Sequence, residues 1–362
     1  MLIKKKEIAL LLIFLSLVVT NLFAENYYFK RYDKENGLSQ QTVFCAVQDR
    51  RGFLWFGTKV GLNRFDGTKF KNYVADPEQP NSLPNNTVLA LAEAPDGSLW
   101  LGTSDGLCIY NPEKDTFAPF VSADLTIEGL IDNLVFDKQG NLWVINSKGI
   151  YCLDVKNGNH KFFSASDFFV PTGITVTQSG SVWVLGLDGN IYLFNPQRME
   201  FSFYPILTKE EKTKHILLYR ILECSNGDLV VTTDRIGARR FSPNNGEVKV
   251  LFSNDSQNNP IYIHTAIQRN KDEFWFGTES GIHIYQLDLG FIDHLQKSYN
   301  DAYSLSDNAV HMLLKDREEG IWVGTFFGGV NYLSNNNTLF DKYLPKDEKG
   351  SIKANVIREI HP

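Results

Sequence analysis

Beyond residue 24, apolar and polar positions alternate in short runs or condense into brief apolar stretches, and turn residues interrupt them every few positions. Period-two patterning of this kind predicts β-strands, and the spacing of an amphipathic helix does not take over within the units. The first unit shows the layout, with strands predicted over 42–48, 53–58, 62–66 and 69–74, separated by the turns "DRRG", "KVG" and "DGT". Its second strand, "FLWFGT", returns as "SLWLGT", "EFWFGT" and "GIWVGT", and in weaker form as "NLWVIN", "SVWVLG" and "DLVVTT".

Aligned on one position, the copies are anchored by Trp55, Trp100, Trp143, Trp183, Val230, Trp275 and Trp322, spaced 45, 43, 40, 47, 45 and 47 residues apart. All six tryptophans of the chain occupy this position. Six residues after the anchor stands a glycine: Gly61, Gly106, Gly149, Gly189, Gly281 and Gly328, with Gly237 one place late in the fifth copy. Self-similarity at this period is the signature of a repeat architecture. Four short antiparallel strands per unit make a propeller blade, which cannot bury both faces without neighbours. The fold class predicted is all-β, a seven-bladed β-propeller of four-stranded antiparallel blades over 25–345, with one extra strand at each end. The first extra strand, "YYFKRY" at 27–32, echoes outermost strands, and either completes the seventh blade or belongs to a second ring. The second, "ANVIREI" at 354–360, matches innermost strands and makes 346–362 the start of a further blade, so a longer protein is expected.

Composition adds little to the fold and something to the setting. Apolar residues make up 43% and charged residues 22%, as in ordinary globular domains, while aromatics reach 13%, which suits pleated sheets. A net charge of −6 supplies no basic excess for nucleic acid. Residues 1–24 read as a signal peptide: "MLIKKK" is a positive n-region, an apolar run follows, and Ala24 offers a cleavage position. Leu22 is less suited to that cleavage than a small residue, and retention as an anchor is the alternative. The expected localisation is periplasmic. Cys45, Cys108, Cys152 and Cys224 fall at different offsets in their repeats and are expected to be free, buried thiols. No Cys/His cluster suggests a metal, and no cofactor is expected.

The pattern D-x-x-G-x-[LI]-W-x-G-T-x-x-G-[LI]-x-x-[YF], preceded by "GLSQQTV", "SLPNNTV" or "SLSDNAV", resembles the two-component regulator propeller repeat. The resemblance covers about 27–362 and is sharpest in units one, two, six and seven. It implies the exported sensor part of a hybrid two-component histidine kinase of Bacteroidota, in which such propellers detect oligosaccharides from complex glycans and control glycan-degradation genes. It also implies a homodimer formed through the intact sensor, and membrane attachment only through a missing C-terminal segment or an uncleaved signal. No kinase motif stands in this chain, and neither H-E-x-x-H nor G-x-S-x-G occurs, so catalysis by this portion is not expected. An interaction scaffold without a small ligand, and a carbohydrate-active enzyme, are the alternatives.

In a propeller, the loops from second to third strand and those between blades share one face, where ligands usually meet the protein. The tips on that face are Lys59, Asp105, Lys148, Asp188, Arg235, Glu279 and the pair Phe326–Phe327. The aromatic pair suits stacking on a sugar ring or packing on a partner. The segment "DRIGARRF" at 234–241 breaks the repeat and gathers Arg235, Arg239 and Arg240, whose forks suit acidic groups. Candidate ligand-binding residues are therefore Arg235, Arg239, Arg240, Phe326, Phe327 and Lys59. His264 and His311 fall in innermost strands of separate blades and are read as core histidines rather than metal ligands.

Overall fold

The strands pair as the alternation predicts. A computed structural model describes residues 27–122, 125–165 and 170–335, and among these 28 strands form seven antiparallel four-stranded sheets. Blade 1 runs Val43–Gln48, Leu54–Thr58, Gly61–Phe65 and Phe70–Tyr73, within a residue or so of the predicted bounds. The inner strands of blades 2 to 7 begin at Val88, Asn133, Pro171, Leu218, Ile263 and Val310. Each inner strand touches the next, and that of blade 7 touches that of blade 1, which closes a seven-bladed propeller around its axis. Among the described residues one element escaped the sequence reading: a helix over Lys209–Thr213, between blades 4 and 5, started by a capping box of Thr208 and Glu211. Five residues are too few to impose a helical period.

The seventh blade settles the role of the first extra strand. Among the described residues its sheet contains Val310–Lys315, Ile321–Thr325 and Val330–Leu333 from its own repeat, and Lys30–Tyr32 pairs with the last of these as the outermost strand. The N-terminal strand thus completes the seventh blade, the first of the two expected possibilities. Arg31 fastens it by donating from Nε and an Nη to the Ser304 carbonyl at 3.1 and 2.9 Å. The signal segment 1–24 and the strand expected at 354–360 lie outside the described residues.

The repeated tryptophans are wedged between sheets. Their exposure is 5% or less, and the seventh anchor, Val230, is fully buried. In blades 1, 3 and 7 the aspartate six residues earlier explains the spacing. Asp49, Asp137 and Asp316 each accept the indole N–H at 2.8–2.9 Å with one oxygen and two backbone N–H groups of their own turn with the other. One carboxylate therefore ties the turn to the pillar.

The "GT" after each strong anchor has two jobs. The threonine hydroxyl closes the next turn, donating to the carbonyls of Gly61, Gly106 and Gly281 in blades 1, 2 and 6. That turn places Gly61 at φ +97°, where a side chain is strained. In blade 7 the turn is one residue longer than the spacing suggested. Thr325 bonds to Gly329, at φ +75°, and Gly328 is not the left-handed residue. The insertion of a second phenylalanine before the glycines displaces the turn, as "RIG" does at Gly237 in blade 5.

The glycine preceding the threonine is small for the sake of the neighbouring blade. A Cβ on Gly57, Gly277 or Gly324 would run into Val88, Val310 or Val43, each the first residue of the next inner strand, and one on Gly102 into Ile131, two residues before it. At Gly102 the obstacle is the Ile131 backbone carbonyl, which no rotamer change relieves. Gly102→Ala is expected to destabilise the protein by about 1–3 kcal/mol through overpacking, read from the urea midpoint at unchanged slope.

Candidate functional site

The inner strands do not run straight to the face where the inter-blade loops lie. In six of seven blades the register with the second strand shifts just after the first inner-strand residue, so that Phe44, Leu89, Thr172, Tyr219, His264 and His311 are each skipped by the pairing. A bulge re-aims its side chain. All six residues are half-buried rather than packed away. Three bulges in succession show the consequence, because Tyr219, His264 and His311 meet side by side from blades 5, 6 and 7. The Tyr219 and His264 rings meet edge on at 5.7 Å, and the His264 and His311 rings stack at 4.2 Å with 14° between planes.

Charged groups complete this mouth of the axial channel. Arg220 follows the Tyr219 bulge; it donates from Nε to the His264 carbonyl at 3.1 Å and lies 5.1 Å over the Tyr219 ring. Its Nη1 extends to Asn133 Oδ1 of blade 3 at 3.5 Å, reaching past blade 4. Among the described residues no carboxylate pairs with it. Glu279, the tip of blade 6, receives His264 Nε2 at 2.6 Å and stands 3.8 Å from His311 Nε2. Burial, and then the neighbouring imidazole, push His311 down to about 4, so the ring is neutral at neutral pH. Beside it stands Phe326, with ring centroids 5.2 Å apart, and Phe327 packs edge on against Phe326 while remaining 70% exposed. A cavity of about 340 Å³ adjoins on the same face, lined by Asp132, Thr172, Leu217 and Tyr219 among others.

The expected site residues divide sharply. Phe326 and Phe327 do belong to the mouth. Lys59 is exposed at the tip of blade 1, its backbone tied to Thr42 and Thr87. The three arginines of "DRIGARRF" do not converge. Arg235 is an exposed tip paired with its neighbour Asp234. Arg239 is 2% exposed, bonded to Glu211 at 2.7 Å and to the Ile236 carbonyl at 2.6 Å, and is committed to holding the short helix. Arg240 lies opposite Val230, pairs with Asp228, and lines a groove at the other end of blades 5 and 6. The histidines read as separate core residues are instead in contact.

Four further residues that the sequence reading passed over, Tyr219, Arg220, Asn133 and Asp132, also belong to this face. A signal was present: Tyr219, His264 and His311 are 45 and 47 residues apart, one repeat each, and equal offsets in successive repeats become lateral neighbours. The cysteines are unpaired as expected, but only Cys108 and Cys224 are buried while Cys45 and Cys152 are half-buried; desolvation raises all four thiols to about 12, which keeps them protonated.

Comparison with known proteins agrees with this architecture. Residues 37–59, 82–105 and 304–327 match the two component regulator propeller. Over 53 residues, 15% of this chain and 4% of the relative, the sequence is 49% identical to Histidine kinase P4 of Formosa agariphila. Among solved structures, the extracellular domain of the hybrid two component system BT3049 from B. thetaiotaomicron superposes with a TM-score of 0.72 at 25% identity, covering 86% of this chain and 42% of that one. The extracellular domain of BT4673 from the same organism gives 0.74 at 20% identity over 87% of this chain and 41% of that chain. The chain thus spans less than half the length of each of these proteins.

Proposed function

We propose, from the premise that this chain is a two component regulator propeller, that it is the ligand-reading part of a hybrid two-component sensor histidine kinase. Its ligand is an acidic oligosaccharide released from a complex glycan, taken at the mouth of the channel. In the full protein the bound state passes through a homodimer to a membrane-anchored kinase that controls glycan-degradation genes. The chain is exported, and the reading places it in the periplasm.

One observation carries this reading: Arg220 stands at the mouth with no carboxylate partner among the described residues, flanked by Tyr219, with the Phe326–Phe327 pair at the same mouth beyond His264 and His311. A guanidinium fork pairs with a carboxylate or sulfate, and aromatic faces pack on the apolar faces of sugar rings. Recognition of an acidic sugar needs both groups within one mouth.

The test is isothermal calorimetry of the exported chain against neutral and acidic glycan digests. Saturable binding is expected for an acidic digest, with at least tenfold weakening in Arg220→Gln and an unchanged melting temperature. Silence across the panel favours the protein-docking scaffold, and consumption of a digest during the titration favours an enzyme.

A further inference from the structure

We propose that His264, His311 and Glu279 form a binding site for a divalent transition metal ion of the Zn²⁺ class at the mouth of the channel. The inference goes beyond the reading of the chain as an oligosaccharide sensor and stands whether or not a sugar binds.

The ligand atoms are supplied by the architecture rather than by chance proximity. Two successive bulges deliver the imidazoles, and the tip of the blade bearing His264 delivers the carboxylate. One ligand atom from each residue lies within 4.8 Å of the others. In a tetrahedral zinc site with bonds of about 2.1 Å, neighbouring ligand atoms stand about 3.4 Å apart. The two separations to Glu279, 2.6 and 3.8 Å, bracket that value, so rotations of less than 1 Å at the side-chain ends bring them to it. Two imidazoles and one carboxylate are a donor set of zinc sites that keep a position open. Glu279 is about half exposed, so the fourth position faces the mouth.

The Nδ1 of His264 is buried without a hydrogen-bond partner among the described residues, so Nε2, already against Glu279, is the nitrogen that this ring offers to a ligand. Stacked imidazoles repel once both are protonated, whereas two neutral rings can share one bound cation. The charged surroundings are Glu279 and Asp307, which favour a cation, and Arg220, which opposes one. A dication held by one carboxylate next to Arg220 leaves excess positive charge, so an anion is the expected occupant of the open position.

The test is calorimetric titration of tag-free protein, stripped with chelator, with ZnCl₂. One saturable site is expected. Glu279→Gln, which alters a half-exposed side chain and preserves the melting temperature, should weaken it at least tenfold. His311→Ala should abolish it, while His294→Ala, at the other stacked histidine pair with His283, should leave it intact. Replacing Zn²⁺ by Co²⁺ should give a ligand-field absorption that Glu279→Gln removes. No saturable binding, affinity unchanged in Glu279→Gln, or binding that follows His294 would overturn the assignment.

Discussion

Trp55→Ala is expected to lower stability by about 3–5 kcal/mol, the range for removing a large aromatic from a packed core. Trp55 is 1% exposed, stacks on Tyr73 of its own blade and meets Tyr110 of blade 2 with ring centroids 4.9 Å apart. Alanine leaves a void between two blades and removes the donor to Asp49, itself 4% exposed. The neighbouring sheets cannot collapse into the gap, because each is fixed by the blade beyond it. Trp55→Phe separates the two effects: it keeps most of the ring and loses the hydrogen bond, at an expected cost of about 1–2 kcal/mol. Urea denaturation followed by circular dichroism, which does not depend on the mutated indole, reads both.

The second large effect is expected at the seam. Removing the segment Tyr27–Tyr32 leaves blade 7 with three strands and deletes Phe29, 2% exposed between blades 6 and 7, and Tyr32, stacked at 5.8 Å on Trp322. Two buried aromatics represent about 6–10 kcal/mol, comparable with the whole stability of an ordinary domain. The strand Val330–Leu333 would also be left as an open edge, a template for pairing with other chains. The shortened chain should lose its cooperative melting transition and elute as aggregate in size-exclusion chromatography. Adding the 27–34 peptide in excess should recover part of the monomer.

The architecture was legible because its requirements repeat. Seven copies of one pillar, one turn and one close approach make a pattern that no single unit would reveal. Where copies decay, the structure shows volume exchanged rather than lost. In blade 1, Gly57 faces Cys45 on the inner strand; in blade 4 the same pair is Leu185 facing Gly173, with the large and small partners swapped. A motif keyed to glycine sees the second case as degradation. Arg240 is a related case, since it stands beside Val230 where the tryptophan is missing and pairs with a turn carboxylate.

The site was less legible for identifiable reasons. Consecutive residues of a strand point to opposite faces, so the run "ARR" that read as a cluster sends Arg239 and Arg240 to different partners. The mouth is made by bulges, and a bulge interrupts the alternation from which strands are predicted. Tyr219 and Arg220 therefore read as ordinary inner-strand residues, although one bears a ring and the other a charge next to the bulge in "LYRILE". The two phenylalanines were visible because they occupy a turn, where the repeat predicts polar residues.

A common mouth requires Tyr219, Arg220, His264 and His311 to face one axis, and the strand Lys30–Tyr32, paired into blade 7, fastens the ring that holds them there. Paired positions across an antiparallel ladder are close enough for a disulfide. The most direct measurement is peptide mapping, under non-reducing conditions, of the oxidised double variant Lys30→Cys, Tyr332→Cys, whose two positions are register partners. A closed ring predicts near-complete linkage of the two peptides, resistant to dilution. Two free thiols at 30 and 332, or linkage only between separate molecules, would contradict closure and with it the common mouth.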